Sequence, residues 1–395
     1  MVDDPVAGSY SLAVDAMGGD GAPDIVVQGL ALAAERHPSA RFLLIGDEAR
    51  LHPLLDACKA AQAICTVRHA PVAITNEMKG TAALRLRDSS MRVAIDAVAS
   101  HEAQGVVSAG NSGALLALAK IVLKTMPGID RPALAAISPS ARGDVVMLDL
   151  GANVACDSRN LVEFAVMGEA FARVVLGLPK PTIGLLNVGS EQMKGDDRLR
   201  QAADMLRASA LADQFHGFVE GHDITAGTTD VVVTDGFTGN VALKTGEGAL
   251  KLAGTLLKQV FNTSMMSRLG YVLARPGLDR MREWLDPRRY NGAVLVGLNG
   301  VVVKSHGGAD AEAFAHAVDV AMDMVTHRFN DRIRAGVAQL GAQPVSRPAV
   351  PSPVEAQVAV GPGTGDASFT PDPSGSPGSA AAGSVAATGR LATTG

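Results

Sequence analysis

Apolar and polar positions follow one recurring pattern along most of the chain. A short apolar run is followed by a turn that contains glycine, and the turn by a segment whose apolar residues have helical spacing. The pattern occurs in the segments YSLAVDAMGGDG, RFLLIGDEA, GVVSAGNSG, DVVMLDLGAN, TIGLLNVGSEQ and DVVVTDGFTGN. Near-continuous apolar strands are buried on both faces, and their alternation with helices is typical of a parallel sheet. The sequence therefore predicts an α/β fold of three layers, α/β/α, around a largely parallel sheet.

Spacing and capping residues predict individual elements. In the segment 196–210, one face carries the apolar residues Leu199, Ala202, Ala203, Leu206 and Ala210. Asp88 and Asp310 each precede a segment of helical period and stand where N-caps belong. The segment GAVLVGLNGVVVKSHGG predicts two strands that are joined at Asn299 and Gly300 as a hairpin.

Two segments depart from this pattern. Residues 250–289 mix Leu, Met, Phe and the chain's one tryptophan with many basic residues, and they predict a helical hairpin. The hairpin either packs on the core with a solvated basic face, or it offers a surface to an acidic partner or a membrane. Residues 343–395 are rich in Pro, Gly, Ser, Ala and Thr and have no periodicity, which predicts a disordered tail. The α/β domain is thus expected over residues 10–335.

Composition narrows the functional classes. The 395 residues are 47% hydrophobic and 19% charged, which is enough apolar material for a large core. The formal net charge of −5 argues against nucleic-acid binding, which needs a basic surface. Cys58, Cys65 and Cys156 form no CxxC pair, so neither a disulfide framework nor a zinc site is expected. Without an apolar run of membrane-spanning length, we expect a cytoplasmic protein.

The glycine-rich turns carry the candidate chemistry. In an open parallel sheet, ligands bind beyond the carboxyl ends of the strands, where free backbone N–H groups and helix dipoles suit an anion. Ser112 in GNSGAL could be a nucleophile, part of an anion cradle or a simple connection. Ala114 breaks the G-x-S-x-G elbow, Leu243 breaks the Walker A pattern, and no G-x-G-x-x-G follows a strand. An anion cradle is the interpretation that explains the turns as a set.

Acidic and histidine side chains add less. Asp15, Asp149 and Asp235 end apolar runs, and we expect them to accept hydrogen bonds from turn N–H groups rather than to bind a metal. His222 and His306 either face the site or are structural or surface residues. No metal site is expected, since neither clustered histidines nor a repeated acidic spacing is present.

Taken together, the turns resemble a known family. The segments LAVDAMGGDGAPD, DSSMRVAID, VVSAGNSGAL, RPALA, LDLGANV, GLLNVGSEQMKG, DVVVTDGFTGNVALKTGEG and GLNGVVVKSHGGAD are similar to those of the bacterial phosphate acyltransferases, which are acyl-ACP:phosphate transacylases of phospholipid synthesis. The resemblance runs from Ser11 to Asn330. It implies transfer of a fatty acyl group from acyl carrier protein to inorganic phosphate, without a cofactor. The acyl-phosphate product would serve a membrane-bound glycerol-phosphate acyltransferase.

The resemblance also implies a homodimer, with a fold like that of the isocitrate and isopropylmalate dehydrogenases. Phosphate can attack a thioester itself, so no catalytic triad is needed, and positioning and fixed dipoles do the rest. We expect Lys194 to bind phosphate and Asn240 to donate to phosphate or to the oxyanion. The other expected phosphate- or substrate-binding residues are Asn111, Ser112, Gly113, Asn153, Gly189, Ser190, Lys244 and His306. Basic residues of the hairpin are expected to contact the carrier protein or anionic lipid at the inner face of the membrane: Lys258, Arg268, Arg275, Arg280 and Arg282.

The sequence departs from the family pattern in places. KGTAAL follows Glu77 and Met78 where an acidic-acidic-Pro element is usual, and Gly21, Ala155 and Arg87 replace the frequent His, Asp and Lys. Three alternatives stay open. They are a phosphotransacetylase that uses an acyl-CoA, a non-catalytic protein that binds an acyl carrier or phosphate for regulation, and a dehydrogenase of the same architecture.

Overall fold

The computed structural model describes residues 11–78 and 80–341, so the tail expected at 343–395 lies outside the described residues. The strands are β1 (Ser11–Asp15), β2 (Arg41–Gly46), β3 (Cys65–His69), β4 (Gly105–Ser108), β5 (Ala133–Ser140), β6 (Gly143–Leu148), β7 (Ile183–Leu186), β8 (Phe215–Val219), β9 (Val231–Val233), β10 (Ala293–Val296) and β11 (Val301–Lys304). The helices are α1 (Asp24–Arg36), α2 (Glu48–Ala57), α3 (Lys59–Ile64), α4 (Gly80–Ala83), α5 (Ser90–Ala99), α6 (Ser112–Leu123), α7 (Ser158–Val175), α8 (Asp197–Arg207), α9 (Gly221–Ala226), α10 (Gly236–Asn262), α11 (Met265–Trp284), α12 (Ala311–Thr326) and α13 (Phe329–Gly341), with a 3-10 helix at Pro287–Tyr290.

The three-layer prediction is confirmed. Successive residues of one strand enter different cores: Leu12 and Val14 of β1 lie in the core under α1, α7 and α12, whereas Ala13 lies in the core under α5 and α6. A smaller apolar cluster lies on that second face beneath β6, β7 and β9. Because strands with side chains on two faces need cover on both, helices occupy both sides of the sheet.

The sheet is made of two parallel blocks that run in opposite directions. Its order is β3-β2-β1-β4-β11-β10-β5-β6-β9-β7-β8. The first block, β3 to β11, is parallel throughout, and so is the second block, β6 to β8. Between them, β10 and β5 make the antiparallel pairings. The carboxyl ends of the strands in the first block therefore lie at one end of the strand direction, and those of the second block lie at the other end.

Local predictions are tested by the capping bonds. The hairpin of β10 and β11 forms as expected, and Asp310 caps α12 by accepting from the N–H of Ala313 at 2.9 Å. The expected cap at Asp88 is wrong, because the buried Ser89 is the N-cap of α5. Helix α8 ends at Arg207, which leaves Ala210 outside it and exposed.

Helices α10 and α11 form the predicted helical hairpin, which begins fourteen residues before the expected position at 250. Phe261 and Tyr271 pack edge to face across it, with ring centroids 5.4 Å apart. Only Gly236 and Gly239 of α10 are buried, and α11 has no buried residue. The interpretation that the hairpin packs on the core is therefore wrong. Large apolar side chains stay exposed along it: Leu250, Leu252, Leu256, Leu257, Val260, Met265, Met266, Leu269, Val272, Leu273, Met281 and Trp284.

Candidate active site

Three turns follow neighbouring strands of the second block and form the candidate site. We call residues 149–157, 187–196 and 234–240 the second-block turns; they follow β6, β7 and β9. In the sheet, β9 lies between β6 and β7. Because adjacent strands are about 4.8 Å apart, the three turns are next to one another at one edge.

The first of these turns is folded around a buried carboxylate. Asp149 is fully buried, and it accepts hydrogen bonds from the backbone N–H groups of Leu134 at 2.9 Å, Gly151 at 3.2 Å, Ala152 at 2.9 Å and Asn153 at 2.7 Å. The prediction that this aspartate organises turn N–H groups is confirmed. Four backbone N–H groups that donate to one buried carboxyl group give the loop a fixed shape.

Asn153 stabilises that loop by hydrogen bonds from its side chain and its backbone. Its Nδ2 donates to the carbonyl of Pro132 at 2.7 Å and to Asp149 at 3.0 Å, so both amide hydrogens have partners. Its carbonyl accepts from the N–H of Gly236 at 2.7 Å, which ties the loop to the start of α10. The side chain expected to bind phosphate thus holds its own loop instead, and the backbone carbonyl holds the neighbouring turn.

The start of α10 lies directly on the same loop. Asp235 caps the helix by accepting from the N–H of Thr238 at 2.8 Å, as its position at a strand end predicts. A Cβ on Gly239 would overlap the carbonyl oxygen of Asp149, so only glycine permits this approach. With the glycine face inward, Asn240 points outward and is exposed. Its Oδ1 is 3.9 Å from the position a Cβ would take on Gly151.

The turn after β7 presents the candidate cation. Asn187 closes the turn, because its Nδ2 donates to the carbonyl of Lys194 at 3.2 Å and its Oδ1 accepts from the N–H of Val188 at 2.8 Å. Lys194 folds its aliphatic stem over Gly189, where an added Cβ would be 3.0 Å from Lys194 Cγ. The Lys194 side chain is 55% exposed, and its Nζ is 4.0 Å from Glu191 Oε2. Within the described residues, the N–H groups of Gly189 and Ser190 have no hydrogen-bond partner.

Arg198 joins the three turns and was missed by the sequence analysis. Its Nη1 donates to the carbonyl of Cys156 at 2.8 Å, its Nη2 is 2.5 Å from Asp196, and the same nitrogen is 3.9 Å from Asp235. The hydrogen bond with Asp196 raises the pKa of the guanidinium further. An arginine beside an N-cap aspartate has no spacing signature, so the sequence offers no signal for this role.

A second polar cluster lies at the carboxyl ends of the first block. We call Asp15, Ser90, Ser108 and Lys304 the first-block cluster. Asp15 is fully buried and accepts from both serine hydroxyls at 2.6 Å. Burial raises the pKa of Asp15, against the lowering by these hydrogen bonds, and burial lowers the pKa of Lys304 to about 8. Lys304 Nζ donates to the carbonyls of Ala109, at 3.3 Å, and Ser305. Nothing in the run VVVK distinguishes this lysine from a surface residue.

Four expected phosphate ligands lie at that edge rather than with Lys194. Asn111 caps α6, and its Nδ2 donates to the carbonyls of Thr75, Asn76 and Met78. Ser112 and Gly113 are exposed at the start of α6. His306 Nδ1 accepts from the N–H of Gly308 at 3.1 Å.

The expectation of one cradle that contains every turn is therefore not met within one chain. The parallel blocks run in opposite directions, and within residues 11–78 and 80–341 no hydrogen bond or ion pair joins the two groups of turns.

The remaining expected residues are on the surface. Lys244 lies one turn after Asn240 on α10 and pairs with Glu247 at 2.9 Å. The expected contacts with carrier protein or lipid are all on the hairpin; Arg275 and Arg282 each lie 3.4 Å from Asp279. In the described part of the chain, no group of acidic, cysteine and histidine residues has the arrangement of a metal site. None of the described helices is both long and apolar enough to cross a bilayer.

Comparisons with solved structures identify the fold. A phosphotransacetylase from Streptococcus pyogenes superposes with a TM-score of 0.56 at 16% identity. The superposition covers 81% of this chain and 94% of the phosphotransacetylase. A branched-chain phosphotransacylase from Enterococcus faecalis V583 gives a TM-score of 0.51 at 17% identity, over 80% of this chain and 99% of its own. At such identities the likeness establishes the α/β architecture alone.

Comparisons of sequence identify the family. The model of the family described as "Fatty acid synthesis protein" matches residues 10–332. The protein named "Phosphate acyltransferase" of Granulibacter bethesdensis is 74% identical over 332 residues, which cover 84% of this chain and 90% of that protein. The protein of the same name from Gluconacetobacter diazotrophicus is 76% identical over 331 residues, covering 84% and 88%. The chain therefore belongs to the bacterial phosphate acyltransferases and is an acyltransferase enzyme.

Proposed function

We propose that the protein transfers a fatty acyl group from acyl carrier protein to inorganic phosphate and releases an acyl-phosphate. The observation that carries the proposal is the arrangement of the second-block turns. An exposed lysine, Lys194, adjoins the free N–H groups of Gly189 and Ser190, and Asn240 lies on the neighbouring turn. An exposed cation beside backbone N–H groups without partners can bind a phosphate dianion.

The reaction is a direct displacement. An oxygen of bound HPO₄²⁻ attacks the thioester carbonyl carbon, a C–O bond forms, and the carbonyl π electrons move onto oxygen. Collapse of this tetrahedral species breaks the C–S bond, and the thiolate takes the phosphate proton. Lys194 would neutralise phosphate during binding, and Asn240 would donate to the oxyanion as its charge develops. Since the thiol has a reference pKa of about 8.5, it departs with little acid help.

The helical hairpin supplies the proposed surface for the carrier protein. Its basic side chains are exposed: Lys258, Arg268, Arg275, Arg280 and Arg282. A basic surface suits an acidic carrier protein and anionic lipid headgroups. Helix α10 connects this surface directly to Asn240. This connection is consistent with a carrier that binds the hairpin while its acyl group reaches the second-block turns.

The proposal extends to assembly and location. The exposed apolar side chains from Leu250 to Trp284 favour a homodimer, because a large apolar surface on a free chain usually marks an interface. We place the enzyme in the cytoplasm, where it would deliver acyl-phosphate to a glycerol-phosphate acyltransferase at the inner face of the membrane.

The first experiment measures the reaction with both donors. Purified protein is given long-chain acyl carrier protein or the matching acyl-CoA, with and without phosphate. Released thiol is followed, and acyl-phosphate is trapped with hydroxylamine. We expect phosphate-dependent thiol release from the carrier-bound donor. Release from acyl-CoA alone would favour a phosphotransacetylase, and release from neither donor would favour a non-catalytic protein.

Substitutions then test the site. Lys194→Ala and Asn240→Ala should each lower kcat/KM about 100-fold, the usual loss for one transition-state donor. Lys180→Ala is the matched control: its side chain is also exposed, but it precedes β7 and so lies at the other end of that strand. Equal activities of all three variants would contradict the assignment of the site.

Charge reversal tests the hairpin. Arg280→Glu combined with Arg282→Glu should weaken carrier binding roughly tenfold at low salt, with a smaller difference at high salt. Lys59→Glu on α3 is the control, since Lys59 is exposed on a helix outside the hairpin. Unchanged carrier binding at low salt by the double variant would remove the hairpin from the proposal.

A further inference from the structure

Large apolar side chains on the second-block turns and at the start of α10 are exposed to solvent. We call Val154, Val188, Met193, Phe237 and Val241 the apolar rim. Their exposed fractions are 72%, 77%, 86%, 64% and 49%. All five lie on the second-block turns or on the first two turns of α10. Exposed apolar residues that are grouped in this way mark an interaction site rather than chance exposure.

The rim residues alternate with the proposed polar ligands along the chain. Val188 directly precedes Gly189, and Met193 directly precedes Lys194. Val241 directly follows Asn240, and Phe237 lies three positions before it on the same helix. Gly189, Lys194 and Asn240 therefore each have an exposed apolar neighbour, an arrangement that would fit a ligand with a polar and an apolar end.

Backbone packing explains why these side chains stay outside. Gly236 and Gly239 face the loop around Asp149, and that loop leaves no room for a side chain at either position. Residues four apart share a helix face, so Phe237 and Val241 lie together on the opposite side. The helix thus exposes an aromatic and a branched side chain beside Asn240 in a position that core packing cannot cover.

We propose that the apolar rim binds the methylenes of the acyl substrate that lie next to its thioester. This inference rests on the proposed function. The reaction requires a carbonyl carbon within bonding distance of phosphate, and the first methylenes of the chain must therefore lie within a few ångströms of the phosphate ligands. The rim is the apolar surface that adjoins those ligands, whereas the apolar residues of α11 belong to another helix of the hairpin.

The test compares donors of two chain lengths. Wild type, Phe237→Ala and Val241→Ala are assayed with hexadecanoyl acyl carrier protein and with acetyl acyl carrier protein, whose acyl group has no methylene to contact the rim, and kcat/KM is measured for each. The ratio of long-chain to short-chain kcat/KM should fall about tenfold in Phe237→Ala, since several methylenes lose an apolar contact. Ile121→Ala on α6 is the control: Ile121 is an equally exposed apolar side chain of the first block, and its ratio should not change.

The outcomes separate the two proposals. Wild-type turnover with an unchanged ratio in both rim variants would overturn the acyl-chain surface and leave the proposed function standing. Absence of phosphate-dependent turnover in wild type would overturn both. Light scattering measures the oligomeric state of the variants. If Phe237→Asp is monomeric and Phe237→Ala has an unchanged ratio of long-chain to short-chain kcat/KM, the rim contacts a second copy of this chain. That result would overturn the inference. Because Phe237 is exposed, none of these changes is expected to prevent folding.

Discussion

The turns of the two sheet blocks use similar residues in different ways. In the first block, Asp15 and Lys304 are largely buried, and their hydrogen bonds go to serine hydroxyls and backbone carbonyls of the same region. In the second block, Asp149 is equally buried, but the loops it holds present Lys194 and Asn240 to solvent. The comparison shows that the side chains of the first-block cluster are bonded to one another and to nearby backbone, whereas the second-block turns leave Lys194 and Asn240 exposed.

The largest effect is expected from removing the carboxylate of the first-block cluster. Asp15→Ala leaves the hydroxyls of Ser90 and Ser108 without their acceptor and Lys304 without its nearby carboxylate. We expect the free energy of unfolding to fall by about 3–5 kcal/mol, the usual loss when one member of a buried charged group is removed. Urea denaturation measures it, and Asp15→Asn, which keeps the shape and one acceptor, should lose less. Equal losses in both variants would contradict a role for the carboxylate's charge and acceptors.

The second-largest effect is a pH dependence of stability that arises from Lys304 of the first-block cluster. The pKa of Lys304 is lowered by burial from 10.5 to about 8, so above pH 8 the unfolded chain binds more protons than the folded one. The free energy of unfolding should therefore increase by about 3 kcal/mol as the pH rises from 8 to 10.5. Unfolding of wild type and Lys304→Met across this range measures it, because the variant should lack the contribution. Parallel curves for the two proteins would show that Lys304 does not titrate in this way.

A smaller effect tests the open turns. Arg198→Ala removes the guanidinium that joins Cys156, Asp196 and Asp235, while Lys194 and Asn240 remain. We expect kcat/KM to fall about tenfold, equivalent to about 1.4 kcal/mol, with thermal unfolding nearly unchanged. Arg207→Ala, at the far end of the same helix, is the control. If substrate concentration fully restored the rate, Arg198 would act in binding rather than in positioning the turns.

The smallest effect separates two adjacent residues in the first block. Ser89→Ala removes the N-cap of α5 and should lower the free energy of unfolding by about 1 kcal/mol. Asp88→Ala should change it by less than about 0.5 kcal/mol, as for ordinary surface positions. The opposite order, measured by chemical denaturation, would restore the expectation drawn from the sequence.

Much of the fold is predictable because burial leaves a pattern. Apolar runs that end in glycine-rich turns locate strands such as β1, β6 and β9, and the alternating cores follow from burial on two faces. The direction of one block relative to the other is not predictable, since apolar spacing records burial and not polarity. β5 and β10, whose antiparallel pairings set those directions, have apolar sequences like those of the parallel strands.

The candidate site is only partly predictable for a similar reason. Asp149 and Asp235 stand at strand ends, and their bonds to turn N–H groups follow from that position. Asn111 and Asn153 are of a residue type that often binds ligands. Their side-chain amides donate to nearby carbonyls instead, which sequence spacing does not reveal. A lysine that ends a valine run also looks like a surface residue, although Lys304 is mostly buried.

The continuity of α10 limits how the chain can change in length. The helix runs unbroken from Gly236, at the second-block turns, through 27 residues to Asn262. Each residue inserted between these ends would advance the far end by about 1.5 Å and turn it by about 100° relative to the start. A surface loop absorbs insertions without such coupling. We therefore expect the spacing between Asn240 and the hairpin's tip to be kept constant among related chains, even where the amino acids between them differ.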